Sequence, residues 1–212
     1  DRADAILHWA RGYGMTINSL LDFIAKPESG NNFNIVYGGI KVQDRPKKPL
    51  TQMTIGEVLD WQDSIDARYP SEAAGAYQIM EDTLRPLPAS AGLTTGDLFN
   101  EVNQRKLATV LLKRRGLDKY LSGTISATQF AQNLSMEWAS LPCTISDKRG
   151  RAAAGQSYYA GDGINKSHVT TAALMAAVHS VRTDAQISHI PEQSASDRLK
   201  PVPFFAGLIS AA

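Results

Sequence analysis

Apolar residues recur three and four positions apart along most of this chain, and that period commits it to a helical core. Ile17, Leu20, Leu21 and Ile24 form one such stripe, with Thr16 available as cap, which predicts a helix over 17–26. Pro27 disfavours helical geometry at Lys26 and should end or bend that helix. Thr54 and Glu57 read as a capping box, with Met53 and Val58 as its hydrophobic staple, and open a helix through Ile55, Val58, Leu59 and Ile65. Phe99, Val102, Leu107, Val110 and Leu111 mark a long helix ending in Lys113, Arg114 and Arg115 before Gly116, the order a helix dipole favours. Ser126 and Gln129 cap another, with Ala127, Phe130, Ala131, Leu134 and Trp138 on one stripe before Pro142. A last helix is expected over about 168–181. Residues 34–42, Asn-Ile-Val-Tyr-Gly-Gly-Ile-Lys-Val, read instead as a β-hairpin turning on Gly38-Gly39. The expected class is α+β, mostly α, with a helical core, a small hairpin and no internal repeat.

That core must hold by packing, because Cys143 is the only cysteine and an intramolecular disulfide is excluded. A 43% hydrophobic and 20% charged composition is enough to bury a core and excludes a disordered chain. With 22 Lys+Arg against 21 Asp+Glu the net charge is +1, which argues against a nucleic-acid binder and against an acidic tail. The chain begins at Asp1, as a processed product or a piece of something longer would, and carries no signal-peptide pattern. Its least polar stretch, Val169 to Val181, is far shorter than the roughly 20 residues a bilayer requires, so no membrane insertion is expected. After Arg182 the composition shifts to Thr, Asp, Gln, Ser, Glu and Pro. Residues 1–182 are therefore expected to form one domain and 183–212 a tail or linker.

Most familiar chemistries find no footing. His8, His168, His179 and His189 are scattered, outside any HExxH or CxxC setting, so no metal and no cofactor is expected. Cys143, after Leu141-Pro142, reads as a small buried residue and not a nucleophile. There is no P-loop; Gly12-Tyr13-Gly14 lacks the third glycine and preceding strand of a dinucleotide site, and no GxSxG elbow occurs.

One carboxylate stands apart. Glu28 lies seven residues after Leu21 and four after Ile24, so it continues the apolar stripe to the point where the chain turns out. A carboxyl with hydrophobic side chains behind it is desolvated, which raises its pKa and lets it stay protonated as a general acid near neutral pH. The alternative for Glu28 is a plain solvated helix end.

The segments around it form an ordered set. Glu28-Ser29-Gly30 is followed by Asn31, Asn32 and Asn34, then by Gly75-Ala76-Tyr77-Gln78-Ile79-Met80, by Glu137-Trp138-Ala139-Ser140-Leu141-Pro142, and by Gln156-Ser157-Tyr158-Tyr159-Ala160-Gly161. Over about residues 17–180 this pattern resembles the lysozyme-like peptidoglycan lytic enzymes, most closely the phage lambda-type lytic transglycosylases. The resemblance implies a lysozyme-like fold and a muramidase acting on the β-1,4 bond between N-acetylmuramic acid and N-acetylglucosamine. It further implies a single catalytic glutamate, Glu28, and 1,6-anhydromuramic products. The partner is then the glycan strand of bacterial peptidoglycan, and the place of action the periplasm or cell wall, reached by export, phage delivery or a virion.

The residues themselves fit such a substrate. Glycan cleavage needs a proton donor, which Glu28 supplies, and a cleft needs flat faces with amides and hydroxyls. Tyr77, Gln78, Tyr158, Tyr159 and Tyr37 meet that description, and Ser29 flanks the acid. Trp9, Trp61 and Trp138 read as structural. Ordinary glycosidases use two carboxylates. Glu57 belongs to its capping box, and Asp60, Asp63 and Asp66 read as a solvated face, which leaves Glu72 as the possible second one. A lysozyme-type hydrolase using it is one alternative; a non-catalytic glycan-binding module of a larger virion or secretion machine is another, and a chitin-active enzyme on a related fold a third.

Overall fold

The Ile17, Leu20, Leu21 and Ile24 stripe is buried, and the helix that carries it, α1 (residues 17–29), continues past the proline expected to end or bend it. The computed structural model describes residues 17–146, 152–160 and 166–187. Thr16, Trp9 and the Gly12-Tyr13-Gly14 segment lie outside them. Beyond Pro27 the last turn is closed by other bonds. Ser29 Oγ donates to the Ala25 carbonyl at 2.9 Å, and Gly30 N–H to the Lys26 carbonyl at 2.9 Å. The left-handed Gly30 and Asn31 (φ +63° and +62°) then turn the chain out. A proline removes one bond of a helix, and here the flanking bonds hold the turn without it.

Seven more helices follow among the described residues. They are α2 (Ile55–Asp66), α3 (Glu81–Leu84), α4 (Leu87–Ser90), α5 (Glu101–Arg114), α6 (Leu117–Leu121), α7 (Ala127–Ser135) and α8 (Thr171–Ile187), and the chain is mostly helical. The capping box of α2 forms as expected, with Thr54 Oγ1 accepting from Glu57 N–H and the Glu57 carboxylate from Thr54 N–H. Asn100 caps α5, so Phe99 precedes that helix, and Val102 is exposed instead of joining the core. Ser126 caps α7, whereas the Gln129 side chain reaches forward to Asn133. α8 ends at Ile187, past the expected linker start at 183; residues 188–212 lie outside the described part.

The expected hairpin over 34–42 does not form. Val36 makes one antiparallel bridge to Ala74, and Ala74 in turn bridges Ile79. Residues 37–42 coil back through turns into a short 3-10 segment at Val42–Asp44. Alternating apolar residues favour a strand only where a partner strand is present. Here the partner is a single tight turn over 74–79, and Asn34 uses its side chain on Thr51 N–H, 2.9 Å away.

The apolar faces of α1, α2, α5, α6, α7 and α8 converge on one core. Tyr120 of α6 stacks on Phe130 of α7 with ring centroids 5.1 Å apart, and its hydroxyl reaches the Val178 carbonyl of α8 at 3.1 Å. Cys143 is buried and free.

Two buried amides brace the polar loops against this core. Gln104 of α5 accepts from Ala76 N–H and donates to the carbonyls of Phe33 and Phe99, all at 2.8–2.9 Å. Gln62 of α2 donates to the carbonyls of Glu72 and Ile79, both at 2.9 Å. Through the Gln104 amide and the Gln62 NH2 these two fix the 72–79 turn where it leaves the core, while Gln62 Oε1 is buried without a partner.

Candidate active site

The site is assembled where the end of α1 meets the segment after α7. Leu21, Ile24 and Ala25 anchor α1 in the core, so the next residue on that face, Glu28, emerges half-buried at the margin. Opposite it, the chain leaves α7 through Met136 and Glu137, buries Trp138 and arrives at Ser140. Ser140 Oγ donates to Glu28 Oε1 at 2.5 Å, and Ser140 N–H to the same oxygen at 3.2 Å. Ser140 is buried, and its carbonyl accepts from His168 N–H at 2.8 Å. The clamp is thus part of the backbone framework.

Burial holds the Glu28 carboxyl above the ordinary carboxylate range. The hydroxyl and backbone bonds from Ser140 oppose that shift, as does the more distant His168, and desolvation wins. Both Ser140 donors act on Oε1, so Oε2 is the oxygen left to carry a proton.

Glu28 opens into a cleft of about 470 Å³ lined by Tyr37, Gln78, Met80, Glu137 and Trp138 among others. The floor is a tight turn. Ala74 and Ile79 exchange backbone hydrogen bonds at 3.0 and 3.1 Å, and Gly75 and Gln78 take left-handed conformations (φ +75° and +47°). A β-carbon on Gly75 would collide with Gln104 Oε1 and the Phe99 ring, so only glycine fits there. Gln78 has no such excuse. A left-handed glutamine is strained, and strain of this kind gathers at functional sites where surrounding bonds over-determine it. Its side chain is folded back on the Gly75 carbonyl at 2.9 Å.

The sequence-derived residues divide. Glu28, Tyr37 and Gln78 come together in the cleft. Tyr77 does not: it is 1% exposed, packed edge-on to Phe33 at 6.3 Å, with its hydroxyl unpartnered. The turn that presents Gln78 to the cleft buries Tyr77. Ser29 is buried and bonded to its own helix. Glu72 is absent from the cleft lining and buried; its Oε1 accepts from Glu81 N–H at 3.1 Å, capping α3. Tyr158 and Tyr159 pack edge-on at 5.2 Å, and Tyr159, 40% exposed, donates to the Met136 carbonyl at 2.8 Å. They stand beside the Glu137 wall, outside the cleft lining. Trp138 is buried, as a structural tryptophan should be, yet also lines the cleft; its indole N–H donates to the Tyr77 carbonyl at 3.2 Å.

Two residues of the site escaped sequence reasoning. Ser140 sits within the Trp-Ala-Ser-Leu-Pro segment singled out for its order, but nothing local says that it faces Glu28. Glu137 is the second carboxylate of the cleft. It lies between Arg115 Nε at 2.5 Å and an Arg114 guanidinium nitrogen at 2.7 Å, its side chain only 7% exposed. Two such charge-assisted bonds occupy both of its carboxylate oxygens. Among the described residues no group of three His, Cys, Asp or Glu could hold a metal, and no helix is long and apolar enough to cross a membrane. His8 and His189 lie outside those residues.

A family model described as Endolysin matches residues 19–163. Neither the curated proteins nor the solved structures gave a match.

Proposed function

This chain belongs to the Endolysin family, and on that premise we propose that it is a lysozyme-like muramidase with Glu28 as its catalytic acid. Family membership makes it a phage-delivered enzyme that degrades peptidoglycan and acts on the bacterial cell wall. The finer reading is cleavage of the β-1,4 bond between N-acetylmuramic acid and N-acetylglucosamine by a single-glutamate lytic transglycosylase mechanism, as in the lambda-type enzymes.

The observation that carries it is a carboxyl desolvated at the margin of an apolar core, opening into a cleft and clamped through one oxygen only. Held protonated, Glu28 donates to the glycosidic oxygen as the bond to C1 of the muramic ring breaks. The carboxylate left behind is stabilised by the Ser140 hydroxyl and N–H. It then takes the proton from the muramic 6-hydroxyl as that oxygen bonds to C1, giving the 1,6-anhydro ring and restoring the acid. Tyr37 offers a flat face on which a pyranose ring stacks, and Gln78 an amide for its substituents.

A two-carboxylate hydrolase needs a second free anion in the cleft. Glu137 is neutralised by two arginines and Glu72 caps a helix, so both speak for the one-glutamate reading. Mass spectrometry of the products from purified peptidoglycan tests it. Transglycosylation gives fragments lighter by one water than reducing-end muropeptides, and incorporation of ¹⁸O from labelled solvent at the new end would refute it in favour of hydrolysis.

A further inference from the structure

A depression of about 660 Å³, with no carboxylate in its lining, lies beside the cleft, not in it. Residues 36–38 separate the two: Tyr37 lines the cleft, Val36 and Gly38 the neighbouring groove. The groove's chemistry differs in kind from that of the cleft. It has no aromatic face on which a sugar could stack.

What it has is positive charge and amides. Arg45 Nε donates to the Ile40 carbonyl at 3.0 Å, and Lys47 Nζ to the Gln43 carbonyl at 2.8 Å. Neither has a carboxylate partner among the described residues, whereas Lys48 is paired with Glu57 at 2.9 Å. The nearby Asp44 cannot neutralise them, since its carboxylate is taken by the Tyr69 hydroxyl at 2.6 Å and by Arg68 at 2.8 Å. Across the groove, Asn32 and Asn34 engage their side-chain oxygens with Asn34 N–H and Thr51 N–H, each at 2.9 Å. Their NH2 groups remain as donors. Cations and amide donors beside the apolar Ile35 and Pro46 suit an acidic peptide better than a neutral glycan.

From this we infer that the groove binds the carboxylate-bearing stem peptide of the same muramic acid whose glycan strand lies in the cleft. The inference rests on the peptidoglycan reading above. A peptide attached through the lactyl group must leave the cleft over one of its walls. The turn at Tyr37 is the wall with an electropositive trough behind it.

The test uses the full chain and two substrates, purified glycan strands carrying stem peptides and the same strands stripped of them by an amidase. Arg45→Gln with Lys47→Gln should lower the ratio of kcat/KM on peptide-bearing to peptide-free strands about tenfold, through KM, as expected for two charge-assisted contacts at a partly exposed site. An unchanged ratio overturns the inference. Lys47→Gln alone should lower it less, and serves if loss of the Arg45 bonds loosens the loop. A second readout does not need turnover: titration with free stem peptide should shift the amide resonances of Asn32 and Asn34 saturably in the wild type and weakly in the double variant. If the wild type cut neither strand, the muramidase reading would fail while this titration still decided the groove; no shift in the wild type refutes peptide binding.

Discussion

Ser140 and Glu28 stand 112 positions apart in the chain and meet at 2.5 Å, hydroxyl to carboxylate oxygen. The bond has two effects. It fixes the rotamer of the acid, and by stabilising the anion it pulls the Glu28 pKa down against the desolvation that pushes it up. The proton affinity of the acid is therefore set by burial against the Ser140 bonds.

The first prediction follows from that opposition. Ser140→Ala removes a donor to the carboxylate and should raise the Glu28 pKa further. Activity that needs protonated Glu28 is lost as pH rises through its pKa, so the alkaline limb of the kcat/KM profile should move to higher pH in the variant. Loss of orientation should lower kcat by about 10-fold or more. A merely structural serine would lower activity at every pH without moving the limb.

Glu72 gives a prediction of the opposite character. Glu72→Ala leaves the Glu81 N–H without its cap, which should lower stability by about 1 kcal/mol in urea denaturation. Its kcat per folded molecule should stay within a factor of about two, the spread expected of a change that touches no reacting group. Activity falling as far as in a Glu28 variant would identify Glu72 as a working carboxylate after all.

The buried Tyr77 hydroxyl has no partner, so Tyr77→Phe deletes a polar atom that no bond compensates. Stability should be unchanged or higher by up to about 1 kcal/mol, and activity on peptidoglycan unchanged. Gln78→Ala should instead raise KM, because its side chain lines the cleft. A Tyr77→Phe enzyme with raised KM would return that tyrosine to the substrate.

The 72–79 turn depends on Gln104. Gln104→Leu strands Ala76 N–H and the Phe33 and Phe99 carbonyls in the interior and should destabilise the fold by about 3 kcal/mol or more. Gly75→Ala meets the same amide from the other side, in a left-handed conformation, and should cost about 2 kcal/mol. Thermal or urea unfolding of the two variants checks both values.

What the sequence disclosed divides along one physical line. Local signals were legible: the α1 stripe, the Thr54–Glu57 box, the Ser126 cap and the exposed Asp60, Asp63 and Asp66 all stand as read. The three short helices α3, α4 and α6 were not, since four or five residues show no period and form only when packed. The hairpin failed because its strand propensity met a single turn instead of a partner strand. In the site, the end of an apolar stripe pointed to Glu28. Ser140 and Glu137 owe their roles to contacts across the chain, which no spacing encodes. Tyr77 and Gln78, adjacent in one motif, were read alike, and the turn sends them to opposite sides.

Glu28 also links activity to stability. Its carboxyl is raised on folding, so the native state retains a proton that the unfolded chain has already released. Its contribution to stability is thus present below the ordinary carboxylate range and lost as pH rises through the raised value. Glu28→Gln should have a higher Tm than wild type at neutral pH, the two converging as pH falls into that range.

The same variant separates folding from catalysis. On purified peptidoglycan, Glu28→Gln with a Tm at or above that of wild type should clear the suspension about 10²–10⁴-fold more slowly, the contribution of a positioned general acid. Clearance at the wild-type rate by that folded protein would contradict the assignment of Glu28 as the catalytic acid.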